Sequence, residues 1–176
     1  MQTQNESHEH SAVLSKPNAI TLLADDHERV RRLIGEFIRC RDNNELELCQ
    51  RLAALICDEL EIHSTLEEEI FYPTARQIID DPLVLAEAEI EHGTLKTLIA
   101  QIRELQATDP KFMAAINVLG EYVRNHTDEE ERELFWMMRK SGIDLESLGG
   151  RLAARRRELD GQYGLSHPES AEAMPV

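Results

Sequence analysis

The sequence is short of several things, and each shortage excludes something. It has three cysteines, Cys40, Cys49 and Cys57, an odd number at spacings that fit no zinc site. They read as reduced thiols of a cytosolic protein, with Cys57 a packing residue, and not as a disulfide framework. No apolar run approaches the ~18 residues that a membrane-spanning helix needs. The opening segment, MQTQNESHEHSAVLSKPNAI, lacks both a basic start and an apolar stretch. No signal peptide is expected from it, and a cytoplasmic location is. Positive charge is scarce as well: 19 Lys and Arg stand against 34 Asp and Glu, for a net charge of −15. That balance weighs against nucleic acid or an anionic membrane as partner, because both need a basic face. It does not weigh against cations.

Glycine (8) and proline (6) are also few, and between residues 19 and 141 they fall where helices should stop. Asn18 is a cap for a helix reaching about Cys40. Asp42-Asn43-Asn44 is a turn cluster, and Asn44 with Glu47 has capping-box spacing for a second helix over 45–75. Pro73 should kink or end that helix. Asp81-Pro82 and Asp109-Pro110 repeat one start signal, Asp as cap and Pro at the first helical position. They open a third helix ending near Gln106 and a fourth ending at Ser141-Gly142, with Gly142 as a left-handed stop. Strand patterns are absent. The expected fold is all-α: an up-down-up-down four-helix bundle over 18–142, with a short accessory helix over 143–160. That helix should break at Gly149-Gly150 and lie across the bundle. Residues 1–17 and 161–176 are expected to be flexible.

Each helix carries an apolar stripe, and each stripe is interrupted. The first reads Ile20, Leu23, His27, Val30, Ile34, Phe37. The second reads Leu52, Ile56, Leu60, His63, Glu67, Ile70. The third reads Leu85, Ala88, His92, Leu95, Ile99, Ile102. The fourth reads Leu119, Tyr122, His126, Glu130, Leu134, Met137. A histidine sits on every seam, and the second and fourth carry a glutamate four residues later. A lone carboxylate in a core costs several kcal/mol, so it neutralises or finds a cation. The spacing H-x-x-x-E puts imidazole and carboxylate ~6 Å apart on one face.

Counting ~1.5 Å per residue from each turn puts His63, Glu67, His92 and His126 near one level. His27 fits least well, offset from His63 by ~8 Å on this count. The halves also repeat: His then His-x-x-x-Glu occurs twice, as His27 with His63 and Glu67, and as His92 with His126 and Glu130. Two hairpins with one pattern suggest two metals, each with two imidazoles, bridged by the two carboxylates. A ferritin-like carboxylate site needs two Glu-x-x-His pairs, and only Glu89 to His92 supplies one inside the bundle.

The segments DDHERV, EIHSTLEEEIFYP, EIEHGTL and RNHTDEEERELFW resemble the hemerythrin-like, or HHE cation-binding, domain over about residues 19–140. The resemblance implies a four-helix bundle around a non-haem di-iron centre with oxo or hydroxo and carboxylate bridges. It implies His27 and His63 on one iron, His92 and His126 on the other, and Glu67 and Glu130 bridging. Manganese or zinc is a less favoured occupant. Members bind dioxygen or nitric oxide, sense oxygen, iron or redox state, or handle iron under oxidative stress. A protein partner would be needed for signalling. An enzyme reducing peroxide or nitric oxide, or an iron donor, is the alternative. Oxygen carriers have a further histidine where this chain has Lys96, which puts reversible oxygen carriage in doubt. Tyr122, one turn before His126, and Glu131, next to Glu130, are candidates for a second shell or an extra ligand.

The remaining polar residues read as ordinary. His8, His10 and His167 belong to tails. Glu68, Glu69, Glu129 and Glu133 form solvated faces, with some free to hold the outer nitrogens of the histidines. Arg155, Arg156 and Arg157 pair with the acidic bundle, and Phe135 and Trp136 serve core or interface.

Overall fold

The structure is a computed structural model, and it describes residues 18–165; the expectations for residues 1–17, for His8, His10 and His167, and for the tail after 165 lie outside it. The described residues are helical and contain no strand. Helix α1 is Ala19–Asp42 and α2 is Leu46–Leu66, continued by a π-helical turn, Glu67–Phe71, and the short α3, Tyr72–Ala75. Helix α4 is Pro82–Arg103, α5 is Pro110–Arg132, α6 is Leu134–Lys140 and α7 is Leu145–Tyr163.

Local chemistry accounts for most of these boundaries. Asn18 caps α1, its side chain accepting from the amides of Ile20 and Thr21, and the Thr21 hydroxyl accepts in return from the Asn18 amide. Asp81 and Asp109 cap α4 and α5, each followed by proline. Gly142 takes a left-handed φ of 76° after α6. The expected cap at Asn44 does not form. Asn44 itself is left-handed, at φ 59°, and makes the turn, so α2 starts at Leu46 behind an uncapped Glu45. Asparagine tolerates that conformation better than most residues. Helix α4 stops at Arg103, short of Gln106, because the amides of Glu104 and Leu105 bond back only three residues.

Gly149 and Gly150 do not break α7. Each costs a helix ~1 kcal/mol, but tertiary packing sets helix stability more than propensity does. Leu148, Gly149, Leu152 and Leu159 are buried where α7 packs against α1, α2 and the π-turn. It ends at Gly164, left-handed at φ 69°, so residues 161–163 belong to the helix and not to a flexible tail.

Helices α1 and α2 pair, as do α4 and α5, and α1–α5 and α2–α4 contacts close the ring. The stripes point inward, with two changes of phase, the first at the π-turn, where Ile70 is only partly buried and Phe71 and Tyr72 are buried. Beyond Glu133, where α5 gives way to α6, Phe135 and Met138 are buried while Met137 is only partly so. Trp136 is 56% exposed and takes no part in the core. Two apolar clusters fill the interior. One spans Val30, Leu60, Leu95 and Val123 to Phe37 and Phe112, and the other runs from Ile20 and Leu66 to Phe71, Phe135 and Leu152. A polar layer lies between them. Cys40 and Cys49 are joined as a disulfide across the α1–α2 turn, which corrects the reading of three free thiols. The turn brings their Cα atoms to 5.8 Å, within disulfide reach, a proximity that their separation in sequence did not reveal. Cys57 alone is free and is buried; burial pushes its thiol up to about 12.

Candidate metal centre

The polar layer contains His27, His63, Glu67, His92, His126 and Glu130, all buried. Their inward atoms converge. His27 Nε2 lies 3.1 Å from His63 Nε2, and His92 Nε2 lies 3.2 Å from His126 Nε2. Glu67 Oε2 is 3.1 Å from His63 Nε2 and 3.3 Å from His92 Nε2, so it touches one nitrogen of each pair. Glu130 Oε2 is 3.3 Å from His27 Nε2. Two donor groups result, His27 with His63, Glu67 and Glu130, and Glu67 with His92 and His126. The offset expected for His27 is not there. Helix α1 runs on to Asp42, so His27 lies 15 residues before its end while His63 lies 17 after the start of α2. That leaves a difference of only ~3 Å.

Each imidazole also meets a carboxylate with its outer nitrogen. His27 Nδ1 is 2.8 Å from Glu131, His92 Nδ1 is 3.1 Å from Glu68, His126 Nδ1 is 2.6 Å from Glu91, and His63 Nδ1 is 3.8 Å from Asp26. The pattern follows the half-chain repeat. The acid just before the first histidine of each hairpin (Asp26, Glu91) faces the second histidine of that hairpin. The acid just after each inner glutamate (Glu68, Glu131) faces the first histidine of the other hairpin. For His27, His92 and His126 the distance is that of a hydrogen bond, which fixes ring orientation and tautomer and leaves Nε2 to point inward. Asp26 faces His63 as a charge, at 3.8 Å and without a hydrogen bond. Glu131 is thus turned to the outer side of His27 and is not an inner group in place of Glu130. Adjacent residues on a helix differ by about 100°.

The electrostatics follow from this packing. Burial alone would push His63 down, but the Glu67 and Asp26 carboxylates carry it up to about 10. His92 is likewise opposed by burial and raised by Glu67 and Glu68 to about 9. Glu67 is held well below the usual carboxylate range against its own burial by His63 and His92.

Tyr72 was missed by the seam pattern. Its hydroxyl lies 3.1 Å from His92 Nε2 and donates to Glu67 Oε2 at 3.3 Å. In an α-helix a residue five places after Glu67 points about 140° away. Pro73 has no amide to give the Glu69 carbonyl, and the chain takes a π-turn in which the Tyr72 amide bonds the Glu67 carbonyl. The inserted residue swings Tyr72 onto the face of Glu67. Proline after tyrosine was the visible signal. Tyr122 instead donates its hydroxyl to the Glu91 carbonyl at 3.3 Å and lies beside the centre. Lys96 also stays outside, with its Nζ 2.6 and 2.7 Å from the oxygens of Glu68. Phe135 stacks on the His27 ring at 5.6 Å and 7°. On the opposite side a cavity of about 10 Å³ touches all four imidazoles and is walled by Val30, Leu60, Leu95 and Val123.

A helical bundle with a buried layer of paired imidazoles and carboxylates defines a class of cation-binding proteins. The hemerythrin HHE cation-binding domain model matches residues 18–138, and the chain belongs to that family. It is 28% identical over 116 residues to a DNA nickase of Nostoc sp., covering 66% of this chain but 32% of the nickase. It is 26% identical over 120 residues to a hemerythrin-like protein of Schizosaccharomyces pombe, covering 67% of this chain and 59% of that one. The chain therefore spans about a third of the first relative and less than two thirds of the second. The crystal structure of a hemerythrin HHE cation-binding domain-containing protein of Mycobacterium kansasii superposes with a TM-score of 0.72 at 24% identity. It covers 83% of this chain and 89% of that one, and shows the shared fold. No described helix is long and apolar enough to cross a membrane.

Proposed function

We propose that the chain binds two iron ions in the polar layer and uses them to meet a small diatomic ligand or peroxide, in sensing, iron handling or the response to oxidative stress. The observation that carries this reading is a set of buried carboxylate oxygens without a hydrogen bond, one of which, Glu130 Oε2, has His27 Nε2 at 3.3 Å. Glu67 Oε1 and both oxygens of Glu130 have no hydrogen bond, although both side chains are buried. Leaving such groups unpaired costs ~1–3 kcal/mol each, and more when charged. Four imidazole nitrogens point at the same place, and a cation there removes the cost.

The donor set suits the group. Imidazole and carboxylate fit iron, with manganese next and zinc chemically acceptable. His27 with His63, and His92 with His126, would hold one ion each. Glu67, already touching both pairs, would bridge, with Glu130 beside it. Iron would supply redox chemistry with oxygen species. The residues of the chain fix the imidazoles, exclude water and leave one small apolar-walled space. A cavity of about 10 Å³ holds roughly one water, which suits a diatomic molecule or peroxide and no larger substrate.

DNA is left out of this reading, since a chain of net charge −15 lacks the basic surface that phosphate contact needs. The proposed location is the cytoplasm, although the Cys40–Cys49 disulfide removes the reduced-thiol argument for it. Elemental analysis tests the core claim, with spectra taken before and after anaerobic reduction. Two irons per chain are expected, lost in Glu67→Ala and Glu130→Ala. A purified wild type with no bound metal, whose melting temperature ignores chelator, overturns it.

A further inference from the structure

The four outer carboxylates are alike in role but not in surroundings. Glu68 is paired with Lys96, Glu131 with Arg31 at 3.0 Å, and Asp26 with Arg29 at 2.8 Å and Arg156 at 2.6 Å. Among the described residues Glu91 pairs with no lysine or arginine; its one partner is His126. The corner whose outer acid pairs with no lysine or arginine is also a corner that opens. A cleft of about 30 Å³ between α4 and α5–α6 is lined by Glu87, Glu91, Glu129 and Glu133, and His126 and Glu130 form part of its wall. Glu87, Glu129 and Glu133 are exposed, Glu91 is half-buried and Glu130 is buried, so the acids form a graded series from solvent to centre. Glu130 lines this cleft while buried, with Oε1 unpartnered and Oε2 held only by the ion-pair contact to His27 Nε2 at 3.3 Å, which an acidic rim alone would not require. Arg132 lies at the rim, 2.8 Å from Glu133 and 4.0 Å from Glu129, and is itself exposed, where screening by water leaves such pairs weak.

We propose that this cleft is the entry route of the divalent cation, with Glu87, Glu129 and Glu133 drawing it in, Glu91 passing it inward and Glu130 receiving it. The proposal rests on the metal reading above. A volume of about 30 Å³ admits a cation with only a water or two, so the ion sheds most of its hydration among the carboxylates. At the other three corners a guanidinium or ammonium group occupies the outer acid itself, whereas Arg132 pairs with the rim acids and leaves Glu91 free of a lysine or arginine partner among the described residues.

The test follows uptake of cobalt(II) by metal-free protein at low ionic strength, using its ligand-field absorption in a stopped-flow instrument. The triple variant Glu87→Gln, Glu129→Gln, Glu133→Gln removes exposed acids and none of the inward donors. It should reach the wild-type metal content but load about tenfold more slowly, the lower end of electrostatic steering effects. Added salt should slow the wild type more than the variant. A control triple, Glu36→Gln, Glu47→Gln, Glu104→Gln, changes the net charge equally at the other end of the bundle, on exposed positions. It should load within about twofold of wild type. Equal slowing in both triples, or no slowing in the first, overturns the entry route while leaving the metal reading intact. A wild type that takes up neither cobalt nor iron overturns both.

Discussion

Tyr72 presents its hydroxyl 3.1 Å from Nε2 of His92, their rings 5.3 Å apart and tilted by 37°. Burial and the Glu130 and Glu67 carboxylates hold its phenol well above the ordinary value, so without metal it stays protonated at neutral pH. A cation at His92 inverts that preference, because a bound metal ion stabilises the deprotonated form of an oxygen ligand. The iron(III)-loaded protein is therefore expected to show a phenolate-to-iron absorption band in the visible. Tyr72→Phe should abolish the band while retaining most of the iron. A band unchanged in Tyr72→Phe would place the hydroxyl outside the coordination sphere.

The metal-free protein should depend on pH in a definite direction. His63 and His92 titrate in the folded chain at about 10 and about 9, against 6.5 for ordinary histidine. Groups raised on folding stabilise fully below pH 6.5, and the contribution is lost as pH rises through 9 to 10. Glu67 and Asp26 are lowered instead, so their contribution is present above the ordinary carboxylate range and lost as pH falls through their folded values. Metal needs unprotonated imidazole, so loading should release protons. The rise in melting temperature on adding iron should be larger at pH 9 than at pH 6. Calorimetry of both forms across that range checks it, and an equal rise at both pH values would contradict the protonated-pair picture.

Thiol chemistry gives an independent check on the α1–α2 end. With Cys40 and Cys49 joined and Cys57 buried with a thiol raised to about 12, the native protein should bind no alkylating reagent at pH 8. In denaturant one thiol should react before reduction and three after it. Reduction should cost the fold about 2–3 kcal/mol, the loop-closure value for a separation of 9 residues. Mass spectrometry of labelled protein counts the thiols, and three labels without reductant would show the pair open.

Much of the centre was legible because its cause is local. Histidine and glutamate on otherwise apolar stripes are visible in any helical reading, and the inner six side chains meet where the stripes meet. What escaped was set by geometry that periodicity does not encode. Shifts of two residues at the end of α1 and one at the start of α2 produced the false offset of His27. The π-turn before Pro73 put Tyr72 on a face it does not own in an α-helix. The outer acids were half visible: Asp26 and Glu91 sit next to histidines, but which ring each meets depends on how the hairpins cross. The Cys40–Cys49 pair was hidden because three cysteines with no spacing rule carry no pairing information. Gly149-Gly150 misled in the other direction, since a burial-driven helix absorbs residues that an isolated one would not.

The link from α7 to the centre yields the last expectation. Arg156 reaches from α7 to Asp26 at 2.6 Å, and it also pairs with Glu59 and Asp160; its side chain is 13% exposed. Asp26 in turn faces His63, so α7 holds an imidazole of the centre through two side chains. Removing one partner of a buried ion cluster strands the others, at about 3–5 kcal/mol. Arg156→Met should therefore destabilise the fold by about 3 kcal/mol, well beyond what a surface arginine contributes. Arg156→Lys keeps the charge but not the fork that serves several acids, and should recover only part of the loss. Because Asp26 is left without its strongest counter-charge, the His63 side of the centre should also bind metal less tightly than the His126 side, whose outer acid needs no arginine. Denaturant unfolding of both variants, with stepwise cobalt titration, separates the two effects. If Arg156→Met unfolds at the wild-type midpoint, α7 is a passive cover and the chain of contacts through Asp26 carries no energy.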